Sequence, residues 1–176
     1  MTNCDRTRVK VKLTDSTQLI HRVADASTED AQRCGRATFA VRNCSSTRVA
    51  VAVLGEIDAM NGRALGRYVE RHTRISKQLV LDMRTVDFMG SQGFTALYYI
   101  SVHCARSDVD WVIVGSHAVR RLLSICDPEG ELPLVSTLAS ALTRLDRFAQ
   151  HRPQIIWNGQ SGWHARPRRE ANRHSA

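Results

Sequence analysis

The chain has 176 residues and a formal net charge of +8, and half of this excess positive charge lies in residues 151–176. Its length predicts one domain with flanking segments, because domains usually contain about 100–200 residues. No apolar run approaches the roughly 18 residues of a membrane-spanning helix, and the polar N-terminus has no signal-peptide core. We therefore expect no membrane insertion and a cytoplasmic location.

The first 36 residues are polar and carry charges of both signs, and residues 8–13 alternate with the period of a short strand. This pattern favours an N-terminal extension, 1–36, that is partly ordered.

Residues 37–150 have the regular apolar periodicity of a folded domain. Strands are expected at residues 37–41, 49–54, 79–81, 111–115 and 132–135. Residues 49–54 are apolar without interruption, which indicates a central strand covered on both faces, whereas Pro133 favours an edge position. Segments with helical spacing lie between these strands, and their predicted buried faces are Leu65, Tyr68, Val69, His72 and Ile75; Phe94, Leu97, Tyr98 and Ala105; Val119, Leu122, Leu123 and Cys126; Leu138, Leu142, Leu145 and Phe148.

Breaks and caps mark the ends of these helices. Residues 127–130 contain Pro and Gly and should end the third helix. Ser136 is expected to cap the last one. Strands that alternate with helices predict an α/β fold, a mixed sheet of about four to five strands joined by helical crossovers.

The last segment, 151–176, holds five basic residues and one acidic residue. It is expected to be a basic, disordered tail. A basic tail can also touch nucleic acid, but we do not expect direct nucleic-acid binding, since no nucleic-acid-binding motif accompanies it.

The five cysteines are Cys4, Cys34, Cys44, Cys104 and Cys126. Their number is odd and no CxxC pair occurs, which favours reduced thiols over a disulfide framework. The cysteines and histidines lack the spacing of a zinc site, and no glycine-rich phosphate loop occurs. We therefore expect neither a metal nor a cofactor.

The most informative stretch is residues 86–94. An apolar strand leads into it and an amphipathic helix leaves it, so Ser91 should be exposed at a strand-to-helix turn, with Gly90 and Gly93 on either side of the Ser91–Gln92 pair. Backbone amides at a helix N-terminus favour negative charge. Ser91 is thus the predicted functional centre, and the simpler alternative is a helix N-cap without further function.

A hydrolase is not favoured by this serine. A nucleophile elbow needs G-x-S-x-G, and Met89 stands where the first glycine should be. We expect the protein not to be an enzyme.

Several segments occur in the order found in a known family. Residues 53–58 are similar to a Gly-Glu-Leu-Asp signature, residues 79–83 to the strand before a phosphorylation loop, and residues 88–93 to the loop itself, Phe-Ile/Met-Asp-Ser-Ser-Gly. Residues 112–115 and 119–123 are similar to a later strand and helix. Together, residues 47–145 resemble the STAS domain of bacterial anti-sigma factor antagonists, also called anti-anti-sigma factors.

The resemblance implies a protein that binds an anti-sigma factor, often a serine kinase, and so releases a sigma factor. That kinase would phosphorylate Ser91, and a phosphatase would reverse the reaction. Asp82 would order the loop after its strand. The partner-binding residues implied by the resemblance are Asp58, Met60, Asn61, Gly90, Ser91, Gln92, Gly93 and Thr95.

Three positions depart from the family pattern. Gly90 replaces an aspartate, Gln92 replaces a second hydroxyl residue, and Thr95 stands where a small glycine is usual. These departures leave two alternatives open: a STAS scaffold that is not phosphorylated, and an accessory subunit of a regulatory or transport ATPase complex.

Overall fold

The computed structural model describes residues 30–152, which form one six-stranded sheet with four helices. The strands are β1 Asp30–Cys34, β2 Ala37–Asn43, β3 Arg48–Ile57, β4 Gln78–Met89, β5 Asp110–Gly115 and β6 Leu134–Val135. The helices are α1 Gly62–Thr73, α2 Ser91–Arg106, α3 His117–Cys126 and α4 Leu138–His151. The predicted mixed α/β fold is confirmed.

The sheet has one strand more than the predicted four to five, because β1 lies inside the segment expected to be an extension. The predicted strand at residues 8–13 and the basic tail after residue 152 lie outside the described residues. The division into 1–36, 37–150 and 151–176 stays a prediction.

The strands follow one another across the sheet in chain order. β1, β2 and β3 pair antiparallel, whereas β3, β4, β5 and β6 pair parallel. A parallel pair needs a crossover connection, which α1, α2 and α3 provide. As a result, the carboxyl ends of β3 and β4 meet at the same edge of the sheet.

Helices cover both faces of the central strands. The larger core lies under α1, α2 and α3, and its members include Val51, Leu81 and Ile113. The neighbouring residues of the same strands, such as Val80 and Val112, pack against α4. This arrangement explains the uninterrupted apolar run at residues 49–54, because side chains of β3 are buried on both faces.

Five predicted helix details are wrong. Ile75 lies beyond the end of α1 and is exposed, because the chain turns at Thr73, whose carbonyl accepts from the Ser76 amide at 3.1 Å. Tyr98 and Ala105 are exposed on α2, and Phe148 is exposed on α4. The N-cap of α4 is Thr137, since its hydroxyl accepts from the Ser140 amide at 3.1 Å.

The cysteine prediction holds only in part. Cys44, Cys104 and Cys126 are free thiols, whereas Cys34 is disulfide-bonded. The expectation of reduced thiols was wrong at Cys34, because spacing along the chain does not reveal which sulfurs meet in space.

Cys104 should resist alkylation in the folded protein. It is buried in the core, and burial raises its pKa to about 12, while the thiolate is the reactive form. At about pH 8 we expect iodoacetamide to modify the half-buried Cys126 at least about 10-fold faster than Cys104, measured by peptide mass spectrometry. In denaturant the two rates should converge. Equal alkylation rates of Cys104 and Cys126 in the native protein would contradict the burial of Cys104.

Candidate functional site

The predicted site lies at the edge where β3 and β4 end together. Ile57 is opposite Met89 in the parallel register, and the Gly90 amide donates to the Ile57 carbonyl at 2.8 Å. The loop that follows β3 therefore lies beside the start of α2. The structure thus places the predicted site residues that follow β3 beside those at the start of α2.

The junction between β4 and α2 is shorter than the expected loop. β4 continues to Met89, so only Gly90 separates strand from helix. Gly90 is the N-cap: its backbone is extended, and its carbonyl accepts from the Gly93 amide at 2.8 Å. Ser91 is the first helical residue, and the alternative that it serves as the N-cap is wrong.

Ser91 is exposed, and none of the described residues hydrogen-bonds its hydroxyl. The first turn of α2 contains no acidic side chain. The partial positive charge at this helix end is therefore not offset locally, which favours an anion.

The loop between β3 and α1 is held by its own polar side chains. Asp58 Oδ1 accepts from the Met60 amide at 2.8 Å, and Asn61 Oδ1 accepts from the Asp58 amide at 3.1 Å. Asn61 Nδ2 donates to the Glu56 carbonyl at 2.9 Å. These bonds leave Met60 63% exposed and bury Asn61 completely. The buried Asn61 side chain therefore positions the loop, and its role in partner binding stays a prediction.

Two glycines let α1 and α2 approach each other and the sheet. A Cβ at Gly62 would lie 2.8 Å from the Gln92 carbonyl oxygen, and a Cβ at Gly93 would lie 2.6 Å from Met89 Cγ. Gly93 is buried, so its lack of a side chain serves the packing of α2 against β4.

The remaining predicted residues are accessible. Met60, Ser91, Gln92 and Thr95 are exposed, whereas Asp58 and Gly90 are half-buried. We call these six residues, together with Phe88, the Ser91 surface.

Phe88 is the residue that the sequence reasoning missed. Its side chain is 52% exposed beside Gly90. Strict strand alternation would leave Asp87 exposed and turn Phe88 inward. However, the pairing with β3 shifts here, from Gly55 opposite Val86 to Glu56 opposite Phe88. This irregularity turns an aromatic ring outward next to Ser91.

Asp82 does not order a loop, because β4 continues through it. Its carboxylate accepts from Arg84 Nη2 at 2.7 Å and from Arg84 Nε at 2.9 Å. This contact raises the pKa of Arg84 and organises the middle of the strand.

Residues 30–152 contain no group of three His, Cys, Asp or Glu side chains that could hold a metal ion. None of the helices in this part of the chain combines the length and apolar character needed to cross a bilayer.

Comparison with known proteins gives consistent matches. The model of the STAS domain matches residues 41–141. Osmosensory protein A of Mycobacterium tuberculosis is 28% identical over 110 residues, which cover 60% of this chain and 70% of that protein. A crystal structure of an anti-sigma factor antagonist from Mycobacterium paratuberculosis is 25% identical with a TM-score of 0.53, covering 62% of this chain and 94% of that chain.

A second structure supports the fold alone. The anti-sigma factor antagonist SpoIIAA in its unphosphorylated form superimposes with a TM-score of 0.52 at 12% identity, covering 62% of this chain and 96% of that one. The STAS model spans more than half of the 176 residues. The chain therefore belongs to the STAS domain family.

Proposed function

We propose that this protein is a cytoplasmic anti-sigma factor antagonist that acts by binding and not by catalysis. It binds an anti-sigma factor through the Ser91 surface and thereby releases a sigma factor. Membership of the STAS family and the likeness to the mycobacterial anti-sigma factor antagonist support this role. The observation that carries the proposal is the exposed Ser91 hydroxyl at the start of α2, to which none of residues 30–152 hydrogen-bonds.

The Ser91 surface suits a protein partner. Met60 and Phe88 supply exposed apolar area, and burying such area stabilises association by about 25 cal/mol per Å². Ser91 and Gln92 supply polar groups next to it. An apolar patch with polar neighbours is typical of a docking site.

Phosphorylation of Ser91 is the proposed switch. A phosphate carries about −1.5 to −2 charges at neutral pH. The N-terminus of α2 tolerates this charge in the free protein. Binding of a close-packed partner, however, would require desolvation of the phosphate. The charged form should therefore fold normally and bind weakly. We infer that the anti-sigma factor or an associated serine kinase adds the phosphate and that a phosphatase removes it.

Ser91→Glu should weaken binding of the anti-sigma factor at least about 10-fold, whereas Ser91→Ala should bind like wild type, because only the glutamate must be desolvated with its charge. The full chain is used to capture partners from a lysate of the source organism. The partners are identified by mass spectrometry, and the affinity for the recovered anti-sigma factor is then measured by calorimetry.

Ser46→Glu is the matched control. It adds the same charge at an exposed serine before β3, at the opposite end of the strand from Ile57, and it should bind normally. If no anti-sigma factor is recovered, the proposed role is wrong. If wild type, Ser91→Ala and Ser91→Glu bind it equally, the role stands but the switch does not.

Equal binding by wild type, Ser91→Ala and Ser91→Glu would favour the alternative of a STAS scaffold that is not phosphorylated. Gly90 and Gln92 are the observations behind that alternative, because they remove an acidic and a hydroxyl group from the neighbourhood of Ser91. Incubation with the recovered anti-sigma factor and ATP tests this alternative separately: no mass shift on wild type supports the scaffold, whereas a mass shift on wild type but not on Ser91→Ala contradicts it.

A further inference from the structure

A cavity of about 220 Å³ lies between β1 and α1, separate from the Ser91 hydroxyl. Residues that line it and matter here are Gln32, Met60, Arg63, Arg67, Tyr68 and Arg71. It is smaller than the roughly 300–1,000 Å³ typical of sites for drug-sized ligands. The volume of this cavity therefore suits a compact ligand.

Three arginines line this cavity, and Arg63 and Arg67 are exposed. Arg63, Arg67 and Arg71 are spaced by four residues, which places them along one side of α1. Arg71 is held in place, because Nη2 donates to Asp30 Oδ2 and to Gln32 Oε1, each at 3.2 Å, and its guanidinium lies 5.1 Å from the centre of the Tyr68 ring.

The other two arginines have no carboxylate partner within residues 30–152. Glu70 is the acidic residue of α1, and its Oε2 accepts from the Tyr99 hydroxyl at 2.9 Å. Glu70 does not line the cavity. Three arginines and the single carboxylate of Asp30 leave the site with a net charge of about +2, at neutral pH where arginine is always charged.

We propose that this cavity binds a dianionic phosphate group. A phosphate group carries about −1.5 to −2 charges, which matches the excess positive charge, and the guanidinium fork pairs with two phosphate oxygens at once. Gln32 accepts from Arg71 through its carbonyl oxygen, and its amide NH₂, which has no partner among residues 30–152, can donate to the ligand. The site does not use Ser91 and does not rest on the proposed function.

The ligand could be a free phosphate or the phosphorylated side chain of a protein, and both share this chemistry. Calorimetry with the full chain tests them with three probes at constant ionic strength: inorganic phosphate, a short phosphoserine peptide and the same peptide unphosphorylated. We expect saturable binding at one site for a phosphate probe and none for the unphosphorylated peptide. Tighter binding of the peptide would identify a phosphorylated side chain, and tighter binding of inorganic phosphate a small ligand.

The variant R63Q/R67Q should weaken phosphate binding at least about 10-fold, since it removes both unpaired guanidinium groups. R63K/R67K keeps the positive charge but lacks the forked guanidinium group, so its affinity for phosphate should lie between those of wild type and R63Q/R67Q. The control R33Q/R121Q removes the same charge at exposed arginines outside the cavity and should bind like wild type. All variants are checked for folding by thermal unfolding.

Either of two results would overturn the proposal: wild type that shows no saturable binding of any phosphate probe, or R63Q/R67Q that binds as well as R33Q/R121Q. If R63Q/R67Q fails to fold, R63K/R67K decides, and wild-type affinity in that variant would also count against the site.

Discussion

Gly55→Ala is expected to destabilise the protein by about 4 kcal/mol, which sums backbone strain of about 1–3 kcal/mol and an overpacking cost of similar size. Gly55 has φ +88°, a backbone conformation that L side chains rarely adopt. A Cβ there would also lie 2.2 Å from the Arg36 carbonyl oxygen, a backbone atom that cannot rotate away. The free energy of unfolding from a denaturant titration measures the effect.

Gly130→Ala is the matched control for Gly55→Ala. Gly130 also has positive φ, +69°, but no heavy atom lies within 4 Å of the position of its Cβ. Gly130→Ala should therefore lower the free energy of unfolding only by the cost of backbone strain, about 1 kcal/mol. Equal losses at both positions would show that contact with the Arg36 carbonyl contributes nothing. A loss below about 1 kcal/mol at Gly55 would contradict the described backbone at the end of β3.

Asn61→Ala is expected to cost about 3 kcal/mol, because it leaves the Asp58 amide and the carbonyls of Glu56 and Cys34 without their partner, at about 1–3 kcal/mol for a fully buried group and less for a partly buried one. It should also reduce binding of the anti-sigma factor, since the loop that carries Met60 loses its support. Denaturant unfolding and calorimetry separate the two effects.

Gln92→Ala is the comparison for Asn61→Ala. Gln92 is exposed, and no described side chain bonds it, so its loss should change stability by less than about 0.5 kcal/mol. If instead Asn61→Ala unfolds like wild type and loses only partner binding, then the side chain reaches the partner directly, as the sequence alone had suggested.

The difference between these two residues illustrates a general limit. Asn61 and Gln92 are both polar residues near Ser91, and nothing in the sequence separates a polar side chain that is buried from one that is exposed. The three hydrogen-bonding groups that Asn61 meets belong to Cys34, Glu56 and Asp58. Cys34 comes from a strand 27 residues earlier, and only the folded chain brings it to this loop.

The arginines of α1 show that the net charge of a site, like the burial of a side chain, cannot be predicted from the sequence alone. Their spacing of four residues is visible in the sequence and places them on one side of a helix. That β1 supplies a single carboxylate to this side, and that Glu70 turns instead to Tyr99, depends on how the elements pack. The cavity and its net charge are therefore tertiary properties.

The sequence by itself determined the α/β class, the central position of β3, the edge position of β6, the break after α3 and the exposure of Ser91 at a strand-to-helix junction. Each of these follows from local periodicity, turn residues or proline, which act over a few neighbouring residues. Only the tertiary structure decided that Gly90 caps α2, that Phe88 faces outward and that Asn61 is buried. Each of these depends on strand register or on packing between segments far apart in the chain, and local patterns do not specify these contacts.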